Sequence, residues 1–125
     1  MTDSNNGWMI AVVEDDYGLR TAIEQLLRSA GFRAVTFESA EDFLASDGRG
    51  DIACLIADIN LPGISGVELV SRLSTNGQRL PAVLITGRRD AATAELASRV
   101  AHVPRLYKPF SDDALFDVIA QVMKR

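Results

Sequence analysis

Four groups of polar residues each stand directly after a short apolar run: Glu14-Asp15-Asp16, Asp58, Thr86 and Lys108. Acids, a hydroxyl and an amine in such places invite a chemical reading. Carboxylates brought together from separate strand ends oppose one another's ionisation, because like charges raise each other's pKa. A divalent cation removes that conflict. Ligands that are all oxygen, with no His or Cys among them, suit magnesium, which keeps several waters and shares its shell with a phosphate. An Asp after a strand is ordinarily a turn or cap residue. Asp58 alone would therefore signify little; with Asp15, Thr86 and Lys108 at equivalent strand ends, the set reads as a site.

The same residues exclude other chemistry. A nucleotide or flavin phosphate usually meets a Gly-rich loop and bare helix N–H groups, whereas the loop after the first run is acidic. Neither G-x-x-x-x-G-K-[ST] nor G-x-G-x-x-G occurs. Eleven arginines stand against two lysines, Lys108 and Lys124, so a Lys before Pro109 reads as a demand for a compact point charge. The lone His102 reads as a loop residue, neither phosphodonor nor metal ligand. The lone Cys54 alternates with apolar neighbours and reads as a buried small hydrophobe, and one cysteine makes neither an intramolecular disulfide nor a zinc cluster. Trp8 is expected to pack at the mouth of the first strand, and Arg88 and Arg89 to be solvated.

The elements that must position these groups follow from periodicity. Trp8–Val13, Phe32–Phe37, Ile52–Ala57, Ala82–Ile85 and Val103–Tyr107 are strand-like runs, and several are nearly continuous in apolar residues, as strands covered on both faces are. Between them Leu19, Ala22, Ile23, Leu26, Leu27 and Ala30 recur at helical spacing, with Gly31 as a stop. Ser39 with Asp42, and Ser65 with Glu68, open the second and third helices, the latter pair as a capping box. Asp90 caps a fourth helix whose Ala-rich body has a weak apolar stripe. Ser111 opens the fifth, with Asp112 and Asp113 at its positive end. Pro62-Gly63 and Gly66 shape the turn before the third helix. Alternating strands and helices predict an α/β fold with a parallel sheet, right-handed crossovers and helices on both faces. In such sheets ligands sit beyond the carboxyl ends of the strands, where the four polar groups lie.

With 125 residues, 47% apolar, the chain has room for one domain. The expected division is a loose tail at residues 1–7 and a domain at 8–125. Seventeen acids against thirteen bases, a net charge of −4, argue against this domain gripping nucleic acid by itself. No apolar run approaches a bilayer span and no signal peptide is visible, so a cytoplasmic, non-membrane protein is expected.

Taken in order, E-D-D, D-I-N-L-P-G-I-S-G around Asp58, I-T-G and K-P-F resemble the receiver domains of bacterial two-component response regulators, over about Met9 to Met123. Thr86-Gly87-Arg88-Arg89-Asp90 and the 22-residue interval to Lys108 most resemble receivers preceding helix-turn-helix output domains. The resemblance implies a single (βα)5 doubly wound domain with a five-stranded parallel sheet in the order 2-1-3-4-5. It implies that Asp58 is the phosphoacceptor, and that Asp15 is a direct magnesium ligand. Glu14 would be the acidic neighbour, with a methylene more than the usual Asp. Asn60 would give its backbone carbonyl to the metal, and Thr86 and Lys108 would contact phosphoryl oxygens. Asp16 falls beyond the motif, as a helix-start residue. It further implies a histidine kinase or phosphotransfer partner, a homodimer face of the fourth helix, fifth strand and fifth helix, a part in transcription regulation, no turnover enzyme activity, and a cis Lys108-Pro109 bond. One departure stands out: Arg105 occupies the place of the family's switch aromatic, while Tyr107 follows on the same strand face. Arg105 is expected to stay at the surface, within reach of an acid such as Glu95.

Two other functions compete. A haloacid-dehalogenase-type phosphatase uses D-x-D, but Asp58-Ile59-Asn60 places an amide where the second acid donates its proton. A phosphate-independent module on the same fold would be expected to have lost acids or the Lys, and all are present.

Overall fold

The computed structural model describes residues 7–47, 51–77 and 79–124. The expected tail falls almost wholly outside these; Gly7 is an exposed turn residue. Five strands, β1 (Met9–Val13), β2 (Arg33–Phe37), β3 (Ile52–Asp58), β4 (Ala82–Thr86) and β5 (Arg105–Tyr107), alternate with five helices, α1 (Tyr17–Ser29), α2 (Ala40–Ala45), α3 (Gly66–Thr75), α4 (Ala91–Ser98) and α5 (Asp112–Met123). All strand pairs are parallel, in the order β2-β1-β3-β4-β5. Among the described residues no helix is long and apolar enough to cross a membrane.

Side-chain alternation divides the core in two. Ala11 and Val13 of β1, Leu55 and Ala57 of β3 and Leu84 of β4 meet Phe43 of α2, Val67, Leu69 and Leu73 of α3 and Ala97 of α4. Their strand neighbours Ile10, Val12, Cys54, Ile56, Val83 and Ile85 meet Ile23 and Leu27 of α1 and Leu115, Val118, Ile119 and Val122 of α5. The near-continuous apolar runs are thus strands covered on both faces. Burial pushes the Cys54 thiol up to about 12, which leaves it an inert packing group.

The helix starts are set by side-chain caps. Asp16, Ser39, Ser65, Asp90 and Ser111 each accept an N–H from the residue three positions on. Gly31, at φ +95°, follows the end of α1. Three expectations need correction. Only half of the capping box at Ser65 forms, because the Glu68 carboxylate turns to Arg72, at 3.0 Å from Nε and 2.7 Å from a terminal guanidinium nitrogen. The fifth strand begins at Arg105 rather than Val103, whose N–H goes to Val100 O, and Pro104 has no N–H to give a ladder. The first strand begins at Met9 rather than Trp8, which lies before β1 with 43% of its surface exposed while its backbone carbonyl accepts from Arg33 N.

Gly66 fixes how closely α3 approaches the site. A Cβ there would overlap the carbonyl oxygen of Asp58, a backbone atom that cannot swing aside. Gly66→Ala is therefore expected to cost about 3 kcal/mol, at the upper end of overpacking penalties. Chemical denaturation would register this as a lower midpoint with an unchanged slope.

Candidate functional site

Backbone hydrogen bonds carry the ladder past the strand ends and so fix the polar groups. Glu14 N donates to Phe37 O at 3.0 Å, Ile59 N to Ile85 O at 2.8 Å, and Lys108 N to Thr86 O at 2.8 Å. Arg20 reaches back from α1 to donate to the Glu14 carbonyl at 2.8 Å. Asp16 caps α1 as expected, accepting from Leu19 N at 3.2 Å.

These constraints bring Glu14, Asp58 and Lys108 into contact. The Lys108 ammonium lies 2.9 Å from Asp58 Oδ2 and 3.0 Å from Glu14 Oε1. The remaining Asp58 oxygen, Oδ1, accepts from Asn60 N at 3.0 Å, and Glu14 Oε2 accepts from Asp16 N at 3.1 Å. The Lys108-Pro109 bond is cis, as the sequence resemblance implied. Asp15 stands at the open side, exposed, with a carboxylate oxygen within 4.8 Å of oxygens of Glu14 and Asp58.

The electrostatics are unbalanced. Two buried carboxylates share one ammonium. Burial pushes the Glu14 carboxyl up to about 7, with the Asp58 charge adding to the rise and the Asp16 N–H and Lys108 opposing it. Burial pulls Lys108 down, but its bonds to Asp58 and Glu14 outweigh this and hold it above the ordinary Lys range. Glu14 Oε1 is fully buried and, despite its 3.0 Å ion contact, receives no hydrogen bond of good angle. An orphaned carboxylate oxygen beside two more acids, with no nitrogen or sulfur ligand, fits a small hard divalent cation. Glu14→Gln is accordingly expected to stabilise the metal-free chain by about 1 kcal/mol and raise its thermal midpoint, because it removes one of two buried like charges that share Lys108 while Asp58 still pairs with the ammonium. It should also shrink the further rise on adding magnesium, which stabilises only as far as it binds the folded state. Thermal melts with and without magnesium check both signs.

Thr86, fully buried at the end of β4, faces Asn60: its hydroxyl donates to Asn60 Oδ1 at 2.8 Å and accepts from Arg88 N at 3.0 Å. Asn60 Nδ2 in turn donates to Thr93 Oγ1 at 3.3 Å. Sequence reading assigned Asn60 only a backbone role and passed over Thr93, since nothing but fold proximity joins positions 33 residues apart. Arg88 and Arg89 are exposed, as expected, and each also makes a surface contact. Arg88 pairs with Asp90 at 3.4 Å, and Arg89 lays its guanidinium 4.0 Å over the half-buried Tyr107 ring. Arg105 is exposed and, among the described residues, makes no ion pair, with Glu95 or otherwise. His102 is an exposed turn residue.

Comparison with known proteins agrees with this geometry. The chain is 33% identical over 124 residues to nodulation protein W of Bradyrhizobium diazoefficiens, covering 99% of this chain and 55% of that protein. It is 33% identical over 116 residues to the transcriptional regulatory protein FixJ of the same organism, covering 93% and 57%. The chain thus spans little more than half the length of these curated relatives. Among solved structures, FixJ-N superposes with a TM-score of 0.82 at 29% identity, over 100% of this chain and 97% of that one. The chemotaxis protein CheY4 of Vibrio cholerae gives 0.81 at 22% identity, over 92% and 98%, a likeness of fold. The profile of the response regulator receiver domain matches residues 10–120. With that match spanning nearly every element of the sheet and its helices, the chain belongs to the response regulator receiver domain family.

Proposed function

We propose that Asp58 accepts a phosphoryl group from a phosphohistidine of a histidine kinase or phosphotransfer protein, and that the resulting aspartyl phosphate switches an output. The observation that carries this reading is Asp58 itself: a buried carboxylate at a strand end, held by Asn60 N and Lys108 Nζ, beside two more acids. One Asp58 oxygen forms the new bond to phosphorus as the donor's P–N bond breaks, and the leaving imidazole keeps the bonding electron pair and takes up a proton. Lys108 follows the charge onto one phosphoryl oxygen and the Thr86 hydroxyl bonds another; this is catalysis by positioning and neutralisation. Glu14, Asp15, Asp58 and the Asn60 carbonyl would hold magnesium, which when bound neutralises charge on the transferring group.

The receiver unit is taken as residues 8–125. It acts as a phosphoacceptor rather than a turnover enzyme, in the cytoplasm. The output is proposed to be transcriptional, in line with the name of FixJ, with the face of α4, β5 and α5 as a homodimer surface. The phosphatase alternative loses support from Asn60, whose carboxamide carries no acid proton and is bonded to Thr86 and Thr93.

A small acyl phosphate tests the reading without the kinase. Intact-mass spectrometry is expected to find one added phosphoryl group with magnesium and none after chelation. Equal labelling in chelator would overturn the metal-dependent site.

A further inference from the structure

Thr86 has a single hydroxyl proton, and its short bond is to Asn60 Oδ1 at 2.8 Å, with the Arg88 carbonyl a distant second acceptor at 3.5 Å. The Asn60 carboxamide is committed at its other end to Thr93 Oγ1. Thr93 is a polar residue buried on α4, where the only other buried side chain is Ala97. Its N–H donates to Asp90 Oδ1 at 2.8 Å, and Thr93 holds that carboxyl below the ordinary range. Asp90 meets the Arg88 guanidinium, and the Arg88 amide returns to Thr86 Oγ1. The result is a closed ring: Thr86, Asn60, Thr93, Asp90, Arg88 and back to Thr86. It joins the loop after β3, the end of β4 and the first turn of α4.

We propose that Asn60 is a positioning residue whose carboxamide holds the Thr86 hydroxyl in the resting chain and ties it, through Thr93, to the start of α4. This rests on the receiver reading, because a phosphoryl oxygen is what would compete for the Thr86 proton. One proton cannot serve both acceptors, so the Thr86–Asn60 bond must break when Thr86 turns to the phosphoryl group. A ligand shifts an equilibrium only through contacts that differ between the two states, and this bond is such a contact. Losing it releases Oδ1 of an amide whose other end supports α4. Apart from this tie the helix is held by a narrow apolar stripe, in which Leu96 and the small Ala97 pack on the core. The signal therefore needs no aromatic at position 105. It passes from hydroxyl to amide to hydroxyl, and the α4 turn loosens.

The test is a titration with beryllofluoride in excess magnesium, with amide hydrogen exchange followed over Ala94–Ala97, on wild type, Asn60→Ala, Thr93→Val and Thr93→Ser. Asn60→Ala lacks the resting-state acceptor and is expected to bind about three- to tenfold tighter, the worth of one hydrogen bond. In wild type, binding should speed exchange in α4. In Thr93→Val exchange should be fast without ligand and unresponsive to it, while Thr93→Ser restores the wild-type response. Asn60 is only half-buried, so Asn60→Ala carries the test should Thr93→Val fail to fold. A wild-type chain that binds beryllofluoride, beside an Asn60→Ala chain of equal or lower affinity, overturns the proposal alone. A wild-type chain that binds none overturns the receiver reading and the proposal with it.

Discussion

An Asp58→Asn chain is expected to gain no mass from an acyl phosphate at any magnesium concentration. An amide nitrogen has its lone pair delocalised into the carbonyl and no anionic oxygen to offer, so the nucleophile is gone. The fold should remain. An Asn oxygen still accepts from Asn60 N or Lys108, as the Asp58 oxygens do at 3.0 and 2.9 Å, and one of two crowded negative charges is removed. The thermal midpoint should therefore hold or rise while labelling falls to nothing, which separates lost chemistry from lost structure. Full labelling of this variant would falsify the assignment of Asp58.

Lys108→Ala has the second large effect, and it acts on stability as well as chemistry. The ammonium is 24% exposed and sits between Asp58 and the fully buried Glu14. Removing one partner of a buried ion pair costs roughly 3–5 kcal/mol. Partial exposure lets water reach the gap, so about 3 kcal/mol is expected, a fall of about 10 °C in the midpoint of the metal-free chain. Magnesium should recover part of this loss, because a second cation can occupy the field Lys108 leaves. Phosphorylation by the acyl phosphate should slow about 100-fold, the usual cost of removing a group that stabilises transition-state charge. Melts with and without magnesium, with labelling rates by intact mass, measure both. A metal-free midpoint equal to wild type would contradict the role given to Lys108.

Much of this was legible in the sequence because the physics involved is local. Strands covered on both faces must be apolar throughout, so β1, β3 and β4 announced themselves as runs, and Glu14, Asp58 and Thr86 stood out as their polar ends, with Lys108 after β5. Caps at Asp16, Ser39, Ser65, Asp90 and Ser111 follow from backbone donors that need an acceptor within three residues. What depends on placement was not legible. Trp8 extended an apolar run in sequence, yet it falls outside the paired strand and meets solvent. Val103 continued another run, but its N–H turns back to Val100 O, and Pro104 joins the ladder only through its carbonyl, which accepts from Leu84 N at 3.0 Å. Glu68 had two partners in reach, the Ser65 backbone and Arg72, and a spacing rule does not choose between them. Asn60 and Thr93 carry neither charge nor periodicity, and α4 hid its one buried hydroxyl inside an Ala-rich helix with a weak stripe.

The central claim is that Asp58, among all the carboxylates of the acid cluster, takes the phosphoryl group. Borohydride reduces an acyl phosphate at a carboxyl side chain to the alcohol and leaves free carboxylates intact. Wild-type chain labelled with an acyl phosphate in magnesium, reduced, digested and mapped by mass spectrometry should show Asp58 converted to homoserine, with Glu14, Asp15 and Asp16 unchanged. Conversion at Glu14 or Asp15 with Asp58 untouched, or a phosphoryl group found on His102, would contradict the account.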